Sequence, residues 1–377
     1  MRQSLGKLGR RLLPARRDPS GADAPGPVDE VKARAPRRPP FLRLAAFAER
    51  VERAPSLDAP VSALSDAVAD TLTPGTWLDD ALHGVPFGQP AHPALVTLPL
   101  GCWTSAVLLD FLPAGTRHLA ASHHLPGIDR LPGTRHLAPL DRLPPLDRLG
   151  ALDRFPASQA LIGAGIAASL PSAATGLADW SALHRHQQRV GLVHAIAQTT
   201  ATALFTASLL ARLAGQARAG KALSLAGLTA ATAGAYLGGH LALRLGAGTS
   251  HAESIQHLAA LGWQDLCPLA DLPDGHPTRR QLGYLSLLAL RQGDVVHVLS
   301  DQCSHLGGPL HQGRVVTERG ATCITCPWHG SVFQVSDGAV VHGPATARQP
   351  SLESRVTDSG WVQVRPRSSR APAAQAP

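Results

Sequence analysis

CSHLGGPLHQGRVVTERGATCITCPWHGSVF, residues 303 to 333, decides how this chain is read. Cys303 and His305 are spaced C-x-H, and Cys326 and His329 are spaced C-x-x-H. Thiolate and neutral imidazole both bind borderline-soft metals, and two inventories fit. One is a single zinc ion with two Cys and two His. The other is a [2Fe–2S] cluster with Cys on one iron and His on the other. Zinc fingers usually group like ligands, a Cys pair and then a His pair. Here each short loop brings one of each, which suits two metal atoms side by side. Gly307, Gly308 and Gly330 let backbone N–H groups come close to cluster sulfurs. Pro309 and Pro327 stiffen the loops.

The two boxes, CSHLGGPL (303–310) and CPWHGSVF (326–333), resemble the Rieske iron–sulfur family. The resemblance implies that Cys303 and Cys326 hold one iron, and that His305 and His329 hold the other. It also implies that Ser331 donates a hydroxyl to a bridging sulfur. The high-potential, quinol-oxidising members carry an extra Cys in each box and join the two as a disulfide. This chain has Gly308 and Trp328 at those places, and Phe333 where those members use a Tyr. No such disulfide can form and one donor is missing, so the module is similar to ferredoxin or oxygenase components. Its potential is expected in the lower part of the Rieske range of about −150 to +300 mV. Cys323, in CITC, reads as a strand thiol beside the second box. Cys102 and Cys267 read as small apolar residues, and nothing suggests a disulfide scaffold.

The flanks of the boxes carry an alternating, Val-rich pattern bounded by Gly and Asp: DVVHVLSD, GRVVTE, ATCITC, SVFQV, GAVVHG and GWVQVRP. These predict short antiparallel strands of an all-β domain over 258–366, with both boxes in loops. Asp337-Gly338 is the expected hairpin turn, and 367–377 is an expected disordered tail.

Upstream, mean hydropathy near zero and a net charge of +8 average over unlike pieces. The first 55 residues hold thirteen Lys or Arg among many Pro. Residues 1–75 are accordingly read as a basic, Pro-rich, disordered arm, able to lie on anionic membrane lipid. The twin Arg10-Arg11 is followed by too short an apolar run for a signal peptide. No aromatic platform accompanies the basic residues, which argues against nucleic acid.

Four stretches free of charge follow, at 93–109, 155–178, 190–211 and 222–243. Each is about the length of a spanning helix and rich in small residues that let helices approach closely. The expected fold is a four-helix transmembrane bundle over 76–248, then the all-β domain. LHGVPFGQPAHPALVTLPLG (82–101) and GLADW (176–180) resemble an uncharacterised bacterial membrane domain often fused to Rieske modules. Residues 114–158 repeat GTRHLA and DRL in units too short to bury a core, and are expected to form a polar loop.

With four spans, His92, Asp179, His194 and His240 fall near one interface, the one facing the cluster domain. Ionisable residues inside a membrane usually mark function. They form a possible second site, for haem b or a quinone. Basic residues in the short loops point the cluster domain outward, but cluster insertion normally takes place in the cytosol. The expectation is an inner (plasma) membrane protein of a bacterium with the domain on the cytoplasmic side. The expected function is a membrane-anchored, one-electron carrier between redox partner proteins, a reductase and an oxygenase or other terminal acceptor, with no catalytic residue of its own. A membrane oxidoreductase with its own haem or quinone site, and a non-catalytic redox sensor, are the alternatives.

Overall fold

The structure, a computed structural model, describes residues 40–111, 156–253, 255 and 262–367. The chain divides after Arg43, and the description below concerns Leu44 onward. The repeat loop and the terminal tail fall outside the described residues.

Within the stretch expected as a disordered arm, two helices appear: α1 (Pro40–Glu52) and α2 (Asp58–Thr71). The reason is tertiary. Ala48 and Val51 of α1 are buried with Val190 and Leu237, and Arg189 clamps the corner between the helices. Its Nε and Nη2 donate to the Asp58 carboxylate at 2.8 and 2.9 Å, and its Nη1 donates to the Glu52 carbonyl at 2.7 Å. Composition alone gives no sign of these long-range partners.

A short helix, α3 (Trp77–His83), is capped by Thr76, whose side chain accepts from the Asp79 N–H. The bundle follows: α4 (Ala91–Leu95) and α5 (Thr97–Phe111), then α6 (Ala157–Ser181), α7 (Arg185–Leu213) and α8 (Ala217–Gly239). Three segments, Ala91–Phe111, Ala157–Ser181 and Arg185–Leu213, are long and apolar enough to cross a membrane. The stretch expected as a fourth span forms α8, which is not among these three because Gly, Ala and Thr dilute its apolar character. A π-turn, His240–Arg244, ends it.

Small residues set the bundle's spacing. Trp103 stacks on Phe205 with ring centres 4.5 Å apart. A Cβ on Gly165 would come within 2.4 Å of the Trp103 indole nitrogen, so only glycine admits that ring. At the end of α5, the buried Asp110 carboxylate is held by Arg212 from α7, which also donates to Ser224 at 3.1 Å. A carboxylate buried this deeply is costly without such a partner.

The C-terminal domain is all β. Strands β1 (Gln264–Pro268), β2 (Pro277–Leu282), β3 (Leu285–Gln292), β4 (Val295–Ser300), β9 (Ser351–Val356) and β10 (Trp361–Pro366) form a six-stranded antiparallel sheet in the order β1-β10-β9-β4-β3-β2. Strands β5 (Arg314–Glu318), β6 (Ala321–Thr325), β7 (Val332–Gln334) and β8 (Val340–His342) form a second sheet. Period-2 alternation on β3 divides the core. Leu287 and Ala289 join one cluster with Val298 and Val362. Leu288 and Leu290 join another, with Ile324, Phe333, Cys303 and Cys326. The second core thus anchors the thiols.

Candidate metal centre

Each Cys–His box occupies a loop: the first between β4 and β5, the second between β6 and β7. The two loops repeat one backbone design. The Cys303 N–H donates to the Gly308 carbonyl at 2.9 Å, and the Gly307 N–H donates back to the Cys303 carbonyl at 2.9 Å. In the second loop the Cys326 N–H donates to Ser331 O at 2.8 Å, and the Gly330 N–H to Cys326 O at 3.1 Å. Gly307 and Gly330 both have φ of +78°, a left-handed conformation that favours glycine.

The donors face one another across the two loops. The Cys303 and Cys326 thiols are within hydrogen-bonding reach, and the His305 and His329 rings lie 5.1 Å apart, nearly perpendicular. His305 Nδ1 is buried and has no hydrogen-bond partner. A buried nitrogen left unpaired is costly unless something absent from the protein atoms binds it. Among the described residues no three of the His, Cys, Asp and Glu side chains gather as a single-ion cage, the arrangement that one zinc requires. Paired thiols beside paired imidazoles fit a two-iron cluster instead.

The electrostatics prepare both ligand types. Burial pushes the His305 ring down to about 3, with His329 adding to the effect. Burial, then His184, pushes His329 down to about 4. Both imidazoles are therefore neutral at pH 7, with lone pairs available. The Cys303 thiol lowers Cys326 to about 7 against the cost of burial, helped by the backbone N–H groups of Trp328 and His329. The same contact and burial raise Cys303, while the N–H groups of His305 and Leu306 oppose this. Those N–H groups are the donors that tune a sulfur-ligated metal.

Gly308 packs against the opposite loop. A Cβ there would sit 2.9 Å from Cys326 Sγ and 3.1 Å from the Trp328 ring. Ser331 is fully buried, and its hydroxyl oxygen accepts from the Ala345 N–H at 3.0 Å. That bond fixes the oxygen and leaves the hydroxyl hydrogen for another acceptor.

Several residues that shape the site escaped the sequence reading. Gln349 is 1% exposed. It accepts from the Ser304 N–H at 2.9 Å and donates to Ser300 O and Gln302 O at 2.9 and 2.7 Å, bracing the first loop from 45 residues away. Others come from the helical region. Asp80 accepts from His342 Nδ1 and from the Gly343 N–H, both at 2.9 Å. The His251 N–H donates to Ser304 O at 2.9 Å. His184, which caps α7, lies 5.7 Å from the His329 ring and 5.4 Å from Trp328. His83 and Asp179 line a cavity of about 40 Å³ with Ser304 and His305. Thus the ligand histidines face the helices. The signal for Asp79, Asp80 and His83 was present in LDDALH, three polar residues on one capped turn.

The second expected site does not assemble as one cluster. His92 and His194 meet, with ring centres 6.4 Å apart. Asp179 pairs with His83 Nδ1 at 3.0 Å, and His240 Nε2 pairs with Glu52 at 2.7 Å. Asp179 and His240 each face a partner outside the four-span core, from α3 and from α1, which the depth argument did not include.

Two family models match parts of the chain. Residues 262–354 match the Rieske [2Fe-2S] domain, and residues 88–251 match a predicted membrane protein domain, DUF2231. The human apoptosis-inducing factor 3 is 36% identical over 73 residues, 19% of this chain and 11% of that protein. The chain therefore spans about a tenth of the length of that relative. The ferredoxin subunit of anthranilate 1,2-dioxygenase from Burkholderia cepacia is 29% identical over 102 residues, 27% of this chain and 90% of that one. Among solved structures, the ferredoxin of carbazole 1,9a-dioxygenase from Nocardioides aromaticivorans IC177 is 27% identical. The match covers 28% of this chain and 98% of that chain, with a TM-score of 0.26.

Proposed function

We propose that this chain, which carries a Rieske [2Fe-2S] domain behind a DUF2231 predicted membrane protein domain, is a membrane-anchored carrier of single electrons. The observation that carries the reading is the ligand set: two matching loops, paired thiols, and a buried His305 Nδ1 with no protein partner. When bound, the cluster supplies reversible one-electron chemistry. Cys303 and Cys326 hold one iron and His305 and His329 the other. The N–H groups of His305, Leu306, Trp328 and His329 approach the cysteine sulfurs, and Ser331 adds a hydroxyl. These donors stabilise added negative charge and so set the potential.

The helical segments anchor the carrier in the inner membrane of a bacterium, with the Rieske domain on the cytoplasmic side where clusters are inserted. A relative that is the ferredoxin subunit of a dioxygenase supports an oxygenase or comparable acceptor as the outlet, and a reductase completes the chain as donor. A second reading, a membrane oxidoreductase, is favoured by one observation: His305 lines a cavity shared with His83 and Asp179 of the helical region. The test is spectroscopic. Full-length protein made with iron supplied, then reduced anaerobically, should give the low-g rhombic signal of a His-ligated [2Fe–2S] cluster. Its absence overturns the carrier reading. A reporter fused to the C-terminus that works only outside the cell overturns the orientation.

A further inference from the structure

We propose that His92 and His194 form a second metal site, inside the helical bundle, for a soft monovalent ion, copper(I). Three features of the pair point to a ligand. First, each ring has one nitrogen fixed by a backbone carbonyl. His92 Nδ1 donates to Ser172 O at 2.8 Å, and His194 Nδ1 donates to Gly234 O at 2.7 Å. A carbonyl only accepts, so both protons sit on Nδ1. In the neutral ring that leaves each Nε2 with a lone pair, and neither Nε2 has a hydrogen-bond partner among the described residues. Donating the second ring N–H to a carbonyl is the usual support for a metal-ligating histidine.

Second, the spacing fits one ion. Metal–imidazole bonds are about 2.0–2.1 Å, and a ring nitrogen lies roughly 1.2 Å from its ring centre. Two imidazoles on opposite sides of one ion therefore have centres roughly 6.4 Å apart, and the observed separation is 6.4 Å. The rings are held at that spacing by helix backbones. A Cβ on Gly176 would meet His92 at 2.8 Å, and one on Gly238 would meet His194 at 3.2 Å.

Third, the charge balance selects the ion. The cost of burying an ion rises with the square of its charge, and a divalent ion needs carboxylates beside it. The carboxylates of the spans are engaged elsewhere: Asp110 with Arg212, and Asp179 with His83. Among the described residues no third His, Cys, Asp or Glu completes a cage. Two neutral nitrogens and no counter-charge suit a closed-shell monovalent ion that accepts two ligands, and imidazole is a good ligand for copper. The site also has a place in the molecule. One turn beyond Gly176 on α6, Asp179 contacts His83, and His83 lines the cavity that reaches His305. The pair thus lies beneath the Rieske domain, on the same face of α6.

The experiment uses the cluster-loaded full chain in detergent, under anaerobic reducing conditions. Copper(I) is titrated against a chromophoric chelator, and the copper X-ray absorption spectrum is recorded. The expected result is one tightly bound copper(I) per chain with two nitrogen neighbours and no sulfur. His92→Gln and His194→Gln should each weaken binding at least a hundredfold while the cluster's paramagnetic signal stays intact, and His240→Gln should leave binding unchanged. Sulfur-ligated copper, wild-type affinity in either variant, or no binding by the wild type overturns the proposal. So does purified protein carrying haem or a quinone that is lost with His92→Gln. Because the cluster signal is read separately, failure of this site and failure of the carrier reading are distinguishable.

Discussion

Replacing Asp80 should release the Rieske domain from the helices. Asp80 is 7% exposed and uses both carboxylate oxygens, one for His342 Nδ1 and one for the buried Gly343 N–H. Hydrogen bonds to a charged group each contribute about 1.5–3 kcal/mol, and breaking a buried charged contact costs about 3–5 kcal/mol. Asp80→Ala removes both bonds and leaves two donors unpaired. At 1.4 kcal/mol per tenfold, the docked state should lose a factor of roughly a hundred to a few thousand. Asp80→Asn keeps the shape. Its amide oxygen still accepts from Gly343, and its NH₂ suits the other tautomer of His342, so about tenfold is expected. Amide hydrogen exchange at Gly343 and at His251, whose N–H bonds to Ser304 O, reads the undocking directly. The cluster's paramagnetic signal confirms that the domain itself stays folded. If Asp80→Ala leaves both amides as protected as in the wild type, the docking argument is wrong.

Three further outcomes follow from the same geometry. Gln349→Leu removes all three bonds that brace the first loop. It should lower cluster occupancy, measured as iron per chain, and shorten the cluster's lifetime in air. Phe333 is fully buried beside the cysteines, and Phe333→Tyr adds a donor where high-potential relatives have one. One extra hydrogen bond of about 1 kcal/mol should raise the midpoint potential by roughly 40 mV in a redox titration; a fall would contradict the donor argument. His83 is held at about 9: burial alone would lower it, but the Asp179 and Asp79 carboxylates outweigh that. A raised value means the stabilisation is complete below the unfolded value near 6.5 and is lost as pH rises through 9. The shift corresponds to about 3 kcal/mol at most. The thermal midpoint of the full chain should fall between pH 7 and 9.5, and His83→Gln should flatten that slope.

What could be read from the residues alone follows the range of the forces involved. The strands β4 to β8 and β10 were legible because alternation and turn chemistry are local, and the Asp337–Gly338 turn is confirmed by the Gly338 φ of +75°. The ligand loops were legible because each box holds its own Cys, His and Gly within a few residues. Strands β2 and β3 were not marked, since LSLLAL is buried on both faces and its alternation is hidden. α1 and α2 were not legible because their partners, the Val190 and Leu237 core and Arg189, lie more than 130 residues away. Gln349 and Asp80 act at separations of 45 and 262 residues; no local pattern marks Gln349, and LDDALH marks a polar turn without naming the partner of Asp80. Of the four expected membrane residues, His92 and His194 meet while Asp179 and His240 pair with α3 and α1, for a related reason. Depth along a helix was legible, but rotation about its axis, which aims Asp179 at His83, was not.

The direction in which the cluster faces bears on its partners. In the proposed carrier reading His305 and His329 hold the reducible iron, so whatever covers those rings is the first candidate to receive the electron. Here His305 lines a cavity with His83, Asp179 and residues 248–250. His329 is flanked by His184 on one side and by Trp328, 49% exposed, on the other. A protein partner in solution therefore has one approach in the docked state, over Pro327 and Trp328 to His329. The helical bundle has the other, through His305. In the proposed carrier reading, two distinct faces on one cluster would let a soluble partner and a membrane-side partner exchange electrons without displacing each other. Opening the Asp80 latch would merge them. Asp80→Ala should therefore speed oxidation by a soluble protein acceptor and slow any exchange through the bundle. A variant that speeds or slows both together would mean that the two faces do not act as separate routes.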